Sequence, residues 1–379
     1  MKKDRQNNNL LIIGLIALIL IVIFNLNAVS GIDKKIDNLM EEAEPAELEL
    51  ITLTATCQGC PDITPITSIV KDSSSVVVKG EKSLDGTSET GKALIKKYGI
   101  TKLPTLILSG EISRVSFSGF KTIDNVLVYD NLMPPYMDAV SNEIKGKVKL
   151  ITLKQDSCTK CADVDAVSDN LKASNVFIDK EEELSSTSAK GKELIKQLNI
   201  KKLPALLISQ EIEEYPIVEQ IEKAGLLFKD GYYLVEGGVP YYDLETSKTR
   251  GLVDLTLLTD DSCEDCYDVS LHKIIFANIG LFIDGENTID IGSIEGKKLV
   301  EKYKLVNVPT VFLSGDMDAY DGFKEDLWGK VGTIENDGNY VFRNIELLGP
   351  EILYKNLATG EIVKPIPAVN GANIQQWKK

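Results

Sequence analysis

Leu50-Ile51-Thr52-Leu53-Thr54-Ala55-Thr56-Cys57-Gln58-Gly59-Cys60 decides the fold when read with Leu103-Pro104-Thr105-Leu106-Ile107-Leu108. An apolar run of strand type ends in a cysteine pair, and a proline opens a second apolar run 47 residues beyond the first cysteine. The combination returns twice. Cys158 and Cys161 precede Pro204, and Cys263 and Cys266 precede Pro309, each at 46 residues from first cysteine to proline. These six are all the cysteines of the 379-residue chain. The period is 101 and then 105 residues, which is the size of a small domain rather than of a solenoid repeat.

Working outward, each repeat opens with a predicted strand, at Leu48–Thr54, Val148–Lys154 and Leu252–Leu258. The cysteine pair follows, then a helical stretch such as Ala162–Ala173 or Tyr267–Ala277. A short strand comes next, at Val76–Val78, Val176–Ile178 and Leu281–Ile283. A second helix opens on Gly91-Lys92, Gly191-Lys192 or Gly296-Lys297, and from that glycine to the proline is 13 residues in every repeat. The proline strand then leads to a hairpin, signalled by Asp230-Gly231 and Asp337-Gly338; the first repeat has no Asp-Gly pair there. Pro135-Tyr136-Met137-Asp138 and Pro240-Tyr241-Tyr242-Asp243 each stand 23 residues before the next first cysteine and read as fixed-length joints. The third repeat runs on past a helix-like Phe323–Trp328 into a tail with no counterpart. Alternating strands and helices around a central sheet define an α/β class.

A CxxC between a strand and a helix has a chemical consequence. The first sulfur lies near the unpaired N–H groups of the helix start, which favour its thiolate. The second can attack a mixed disulfide and release the product. Cys57, Cys158 and Cys263 are therefore expected as nucleophiles, and Cys60, Cys161 and Cys266 as resolving thiols. Lys160 favours a thiolate at Cys158, whereas Glu264 and Asp265 oppose one at Cys263, so the third disulfide is expected to be the hardest to reduce.

The cysteine pair together with Leu103-Pro104-Thr105, Leu203-Pro204-Ala205 and Val308-Pro309-Thr310 resembles the thioredoxin superfamily over nearly all of residues 46–345. The resemblance implies that Pro104, Pro204 and Pro309 are cis, lie beside the disulfides and present backbone to a substrate peptide by strand addition. Two family features are replaced. Thr56, Ser157 and Ser262 stand where a Trp is common before the first cysteine. Ile51, Thr152 and Leu257 stand where the family has a buried acid. Only Cys60-Pro61 is similar to the Cys-Pro ending of some disulfide oxidoreductases.

The N-terminus adds a location. Leu10 to Phe24 is fifteen apolar or glycine residues, extendable through Val29, behind the basic Met1-Lys2-Lys3-Asp4-Arg5. Residues 1–9 read as a cytoplasmic basic region, 10–29 as a single-pass signal anchor and 30–45 as a stalk. Ala28-Val29-Ser30 before Gly31 also fits a cleavage site, which would release a secreted protein. Either way the three thioredoxin-like repeats, at 46–145, 146–250 and 251–379, are expected outside the cytoplasm.

The expected function is thiol–disulfide exchange, with cysteine-containing proteins or a membrane redox partner. The alternatives are a binding array with idle disulfides, or a metal protein in which each CxxC is half a site. His272, the sole histidine, reads as a packing or surface residue, and Tyr232/Tyr233 and Tyr241/Tyr242 as packing between domains. No cofactor motif is present. The net charge of −15 argues against nucleic acid as a partner and against attraction to anionic headgroups.

Overall fold

The computed structural model describes residues 44–364. The expected basic region, the anchor at 10–29 and nearly all of the stalk lie outside the described residues. Among the described residues no helix is long and apolar enough to cross a membrane. The chain divides into two compact bodies, one ending at Lys147 and the other beginning at Val148. The first holds repeat 1 and the second holds repeats 2 and 3.

Repeat 1 runs β1 (Ala46–Thr54), α1 (Thr64–Lys71), β2 (Val76–Asp85), α2 (Glu89–Tyr98), β3 (Lys102–Leu103), β4 (Thr105–Gly110), β5 (Phe120–Ile123), β6 (Val126–Tyr129), β7 (Tyr136–Asp138) and β8 (Ile144–Lys145). Its main sheet has the order β2-β1-β4-β6-β5, with β2 parallel to β1 and β4 antiparallel. Central strands of such a sheet are covered on both faces, so they read as continuous apolar runs. Leu48, Leu50, Leu106 and Leu108 face a core that holds Val70 of α1. Leu53, Leu103 and Ile107 face the other, with Ile95 of α2.

Repeat 2 repeats the plan with β9 (Val148–Lys154), α3 (Asp165–Ala173), β10 (Ile178–Ser185), α4 (Ala189–Leu198), β11 (Lys202–Leu203), β12 (Ala205–Ser209), α5 (Val218–Lys223), β13 (Leu227–Lys229), β14 (Tyr232–Glu236), β15 (Tyr241–Asp243) and β16 (Lys248–Arg250). Repeat 3 has β17 (Val253–Thr259), α6 (Leu271–Asn278), β18 (Ile283–Asp290), α7 (Ile294–Lys302), β19 (Asn307–Val308), β20 (Thr310–Gly315), β21 (Gly332–Ile334), β22 (Tyr340–Phe342), β23 (Tyr354–Asn356) and β24 (Ile362–Val363). Their main sheets are β10-β9-β12-β14-β13 and β18-β17-β20-β22-β21.

The structure adds to the sequence reading at four places. The outer strands β2, β10 and β18 run several residues past their apolar starts, through charged stretches such as Lys180-Glu181-Glu182-Glu183. An edge strand tolerates charge because one side of it meets water, and Lys154 pairs with Glu183 at 2.7 Å. Repeat 1 does have a two-residue hairpin, turned by Asp124 (φ 43°) and Asn125 (φ 62°), residue types that enter the left-handed region at low cost. Phe323–Trp328 forms a π-helix, with Trp328 fully buried and stacked on Phe323 at 5.6 Å. The fixed-length joints are themselves paired strands. Pro135 and Pro240 are cis, and the chain after each turns back as β7 and β15 to pair with β3 and β11. Small sheets β3-β7-β8, β11-β15-β16 and β19-β23-β24 result. The third uses the tail that had no counterpart in the sequence.

Repeats 2 and 3 are joined at Arg250. Its Nε lies 2.5 Å from Asp316 Oδ2 and its Nη2 lies 3.0 Å from Oδ1. The Gly251 amide donates to the same carboxylate at 2.9 Å, and Tyr320 donates to the Gly251 carbonyl at 2.7 Å. The Arg250 guanidinium holds the Asp316 carboxyl below its ordinary range.

The Gly-Lys helices begin two residues before the glycine. Ser88, Ser188 and Ser293 cap them, accepting the amides of Gly91, Gly191 and Gly296 at 3.0, 3.0 and 2.9 Å. The glycines are needed because a Cβ at each would collide with the carbonyl oxygen of Asp85, Ser185 or Asp290. Gly191→Ala is expected to destabilise the second body by about 1–3 kcal/mol, an overpacking cost. Lys192→Ala, exposed on the same helix, should stay within ~0.5 kcal/mol. Urea midpoints measure both, and equal midpoints would refute the close-approach argument.

Candidate functional site

Every cysteine is paired within its own CxxC, with Cα–Cα separations of 5.4, 5.5 and 5.4 Å from repeat 1 to repeat 3. Leu103–Pro104, Leu203–Pro204 and Val308–Pro309 are all cis, as the resemblance implied. In repeat 2 both cysteines and Pro204 line one open cleft of about 320 Å³, with Lys154, Asp163 and Glu183 at its wall. In repeat 3 the hydroxyl of Tyr267, the residue that follows Cys266 in the chain, donates to the Pro309 carbonyl at 3.1 Å.

The cysteines do not sit at a helix start. α1, α3 and α6 begin four, four and five residues after Cys60, Cys161 and Cys266. The reason is an aspartate two residues past each pair. Asp62 Oδ1 accepts the Thr64 amide at 2.8 Å, Asp163 Oδ1 that of Asp165 at 3.3 Å and Asp268 Oδ1 that of Ser270 at 2.8 Å. This local turn competes with helical hydrogen bonding and delays the helix. The Thr64 hydroxyl and amide hold Asp62 below its ordinary carboxylate range, and Ser270 does the same for Asp268. The expected stabilisation of the first thiolate by helix N–H groups is therefore replaced by a turn. Cys-x-Asp at one offset in all three repeats was the sequence signal for it.

The three sites differ beyond that turn. Cys57, Cys60, Cys158 and Cys161 are partly exposed, but Cys263 is only 7 % exposed. Lys160, expected to favour the Cys158 thiolate, directs its ammonium at Asp284 of repeat 3, 2.5 Å away. Thr249 Oγ1 lies 3.5 Å from Cys158 Sγ.

Repeat 3 holds a buried carboxylate that the family position did not reveal. Asp260, three residues before Cys263, is 6 % exposed. Its Oδ1 accepts the Ser262 hydroxyl at 2.5 Å and amide at 3.0 Å, and Lys355 Nζ stands 3.1 Å from Oδ2. Burial works to raise this carboxyl, but Ser262 and Lys355 outweigh it and hold it low. Thr54 and Gln155 occupy the same position in the other repeats.

His272 is 2 % exposed and packs edge-on to Phe342 at 4.7 Å. Its Nε2 lies 3.2 Å from the Tyr267 hydroxyl. That hydroxyl spends its proton on Pro309, so Nε2 carries the hydrogen in the neutral ring. Burial drives His272 down to about 4 and raises Tyr267. Among the described residues no group of three or more His, Cys, Asp or Glu is placed to hold a metal ion.

The cis-proline edge is already in use. Leu103 pairs with Met137, Leu203 with Tyr242 and Val308 with Lys355. The backbone that the resemblance assigns to a substrate peptide is thus laddered to the chain's own returning strand.

No family model and no curated protein matches this chain. Among solved structures, the N-terminal domain of alkylhydroperoxide reductase AhpF from Enterococcus faecalis aligns at 15 % identity, over 47 % of this chain and 89 % of that one, with a TM-score of 0.15. ERdj5 aligns at 12 % identity over 72 % and 37 %, with a TM-score of 0.13. The zinc-bound form of human ERp44 aligns at 11 % identity over 76 % and 86 %, again with 0.13. The class rests on this chain's own geometry: a parallel β-α-β start, three antiparallel strands added to it, a CxxC after the first strand and a cis-proline before the third. These are thioredoxin-like units. The chain carries three units of this fold in tandem.

Two outcomes are expected. Under limiting reductant, Cys263–Cys266 should open ~10-fold more slowly than Cys57–Cys60, since exchange needs access to sulfur. Timed alkylation with peptide mapping reads this, and equal rates would contradict it. Separately, His272 has a folded pKa below its unfolded value, so the unfolded state takes up its proton first. Its contribution is present above pH 6.5 and lost as pH falls toward 4, roughly 3 kcal/mol in all. His272→Gln should flatten that part of the stability–pH curve of repeat 3, and an unchanged curve would reject a buried neutral histidine.

Proposed function

We propose that the chain is a thiol–disulfide oxidoreductase that acts on disulfides and thiols of other proteins, outside the cytoplasm, held at a membrane by residues 10–29. The observation that carries the reading is the cleft of repeat 2, where a partly exposed CxxC disulfide and cis-Pro204 share one opening. A disulfide at the wall of an open cleft is placed for attack by a partner thiolate. The long apolar run behind a basic flank supports the tether.

The chemistry is a two-step exchange. A partner thiolate attacks one sulfur of the CxxC disulfide, a mixed disulfide forms, and the other cysteine leaves as thiolate. A second partner thiol then attacks the partner's sulfur in that mixed disulfide. The partner leaves oxidised, and the CxxC holds the two electrons and protons as a dithiol. The reverse sequence reduces a partner disulfide, and the relative potentials set the direction. For repeat 3 a closed, binding role has its own support in the burial of Cys263.

Reduction potentials of the three pairs test the proposal, read in the full chain with the other two pairs changed to Ser-x-x-Ser. Values of roughly −120 to −270 mV for at least the first two pairs are expected. If all three fall below about −300 mV, the range of structural disulfides, the binding array replaces the enzyme.

A further inference from the structure

The returning strands give the cis-proline edge an occupant, and one backbone hydrogen bond fastens it in two of the three repeats. The Ala139 amide donates to the Thr101 carbonyl at 2.9 Å, Leu244 to Lys201 at 3.0 Å and Leu357 to Val306 at 2.7 Å. In an antiparallel ladder, hydrogen-bonded and non-bonded pairs alternate. The next bonded pairs are then Leu103 with Met137, Leu203 with Tyr242 and Val308 with Lys355, in the registers observed. The residue before each cis-proline therefore has both its N–H and its C=O committed within the chain. A peptide can pair there only if the strand leaves.

The fastening lies on the cysteine loop. The Ala162 amide, directly after Cys161, donates to the Pro240 carbonyl at 2.7 Å, at the entrance to β15. The Tyr267 amide, directly after Cys266, donates to the Leu353 carbonyl at 2.9 Å, at the entrance to β23. The same position in repeat 1 is Pro61, which has no N–H to donate. There the loop meets the returning strand through apolar contact, with Ile63 packed on Leu132 and Tyr136.

We infer that the residue after the second cysteine determines which disulfide opens to a protein partner. Ala162 and Tyr267 each add a backbone hydrogen bond that holds the returning strand over the second and third cis-proline edges, and Pro61 cannot add one at the first. These are positioning residues: they act through the strand and not on sulfur. A protein thiol, which needs the edge, reacts mainly with Cys57–Cys60. A small thiol, which does not, reacts wherever the sulfur is exposed. Apparent reactivity toward a protein scales with the fraction of time the edge is free. One backbone hydrogen bond changes that fraction by roughly 2- to 10-fold.

The inference rests on the exchange reading above, and the test separates the two. The full chain is prepared with a single CxxC left intact, and rates are measured with dithiothreitol and with reduced, unfolded ribonuclease A. The ratio of protein rate to dithiothreitol rate is expected to be highest for Cys57–Cys60. Ala162→Pro should raise it at Cys158–Cys161 by roughly 2- to 10-fold. Ala162→Gly restores the N–H and should bring it back. Pro61→Ala adds a donor to repeat 1 and should lower the ratio there, which keeps the test decisive if Ala162→Pro does not fold. General loosening would raise both rates together, and a ratio that stays constant in this way overturns the inference while leaving exchange intact. Pairs that react with neither thiol overturn the exchange reading itself and this inference with it.

Discussion

A buried peptide group must find a hydrogen-bond partner inside the protein. Leu103, Leu203 and Val308 have no exposed surface, and each is followed by a proline that can donate nothing to a ladder. Their own N–H and C=O groups still need partners, and water cannot reach them. The returning strands β7, β15 and β23 meet that need. Much of the architecture follows from it. The chain must come back to the cis-proline after its hairpin, at a fixed length, before the next repeat can begin. Tyr136, Tyr241 and Tyr354 anchor the return from the same place in each repeat, all buried.

That constraint explains where sequence reasoning succeeded and where it stopped. The central strands were legible because burial on both faces leaves an unbroken apolar run, as in Ala205-Leu206-Leu207-Ile208. The Gly-Lys helices were legible because a close approach to the preceding strand admits only glycine at 91, 191 and 296. The returning strands were not. Tyr136-Met137-Asp138 is three residues long, too short for periodicity to register, and its partner β3 has only two. Such strands exist through pairing rather than through pattern. Asp124-Asn125 was missed for a simpler reason: Asn in place of Gly reaches positive φ without the usual signature.

The site was half legible. Spacing located all six cysteines and the three prolines, and the family resemblance implied that these prolines are cis. It also suggested sulfurs at helix starts, and the side chains of Asp62, Asp163 and Asp268 prevent that by taking the first free amide for themselves. The charge around the sulfurs was the least legible part, because it is supplied from a distance in sequence. Asp260 draws Lys355 from the far end of its repeat. His272 is kept neutral by Phe276, Phe342 and the hydroxyl of Tyr267, which itself answers to Pro309.

Lys160 shows what this means for function. Its position between Cys158 and Cys161 marks it as the natural counter-charge for a thiolate. In the folded chain its ammonium is paired with Asp284, a residue of the next repeat, which also meets repeat 2 at the Arg250–Asp316 pair. At side-chain contact an opposing carboxylate screens the lysine's field, so the charge felt by Cys158 depends on whether repeats 2 and 3 stay docked. The electrostatic surroundings of Cys158 are therefore built by the pair of repeats. A cysteine pair excised with only its own hundred residues would carry the same motif in a different electrostatic setting.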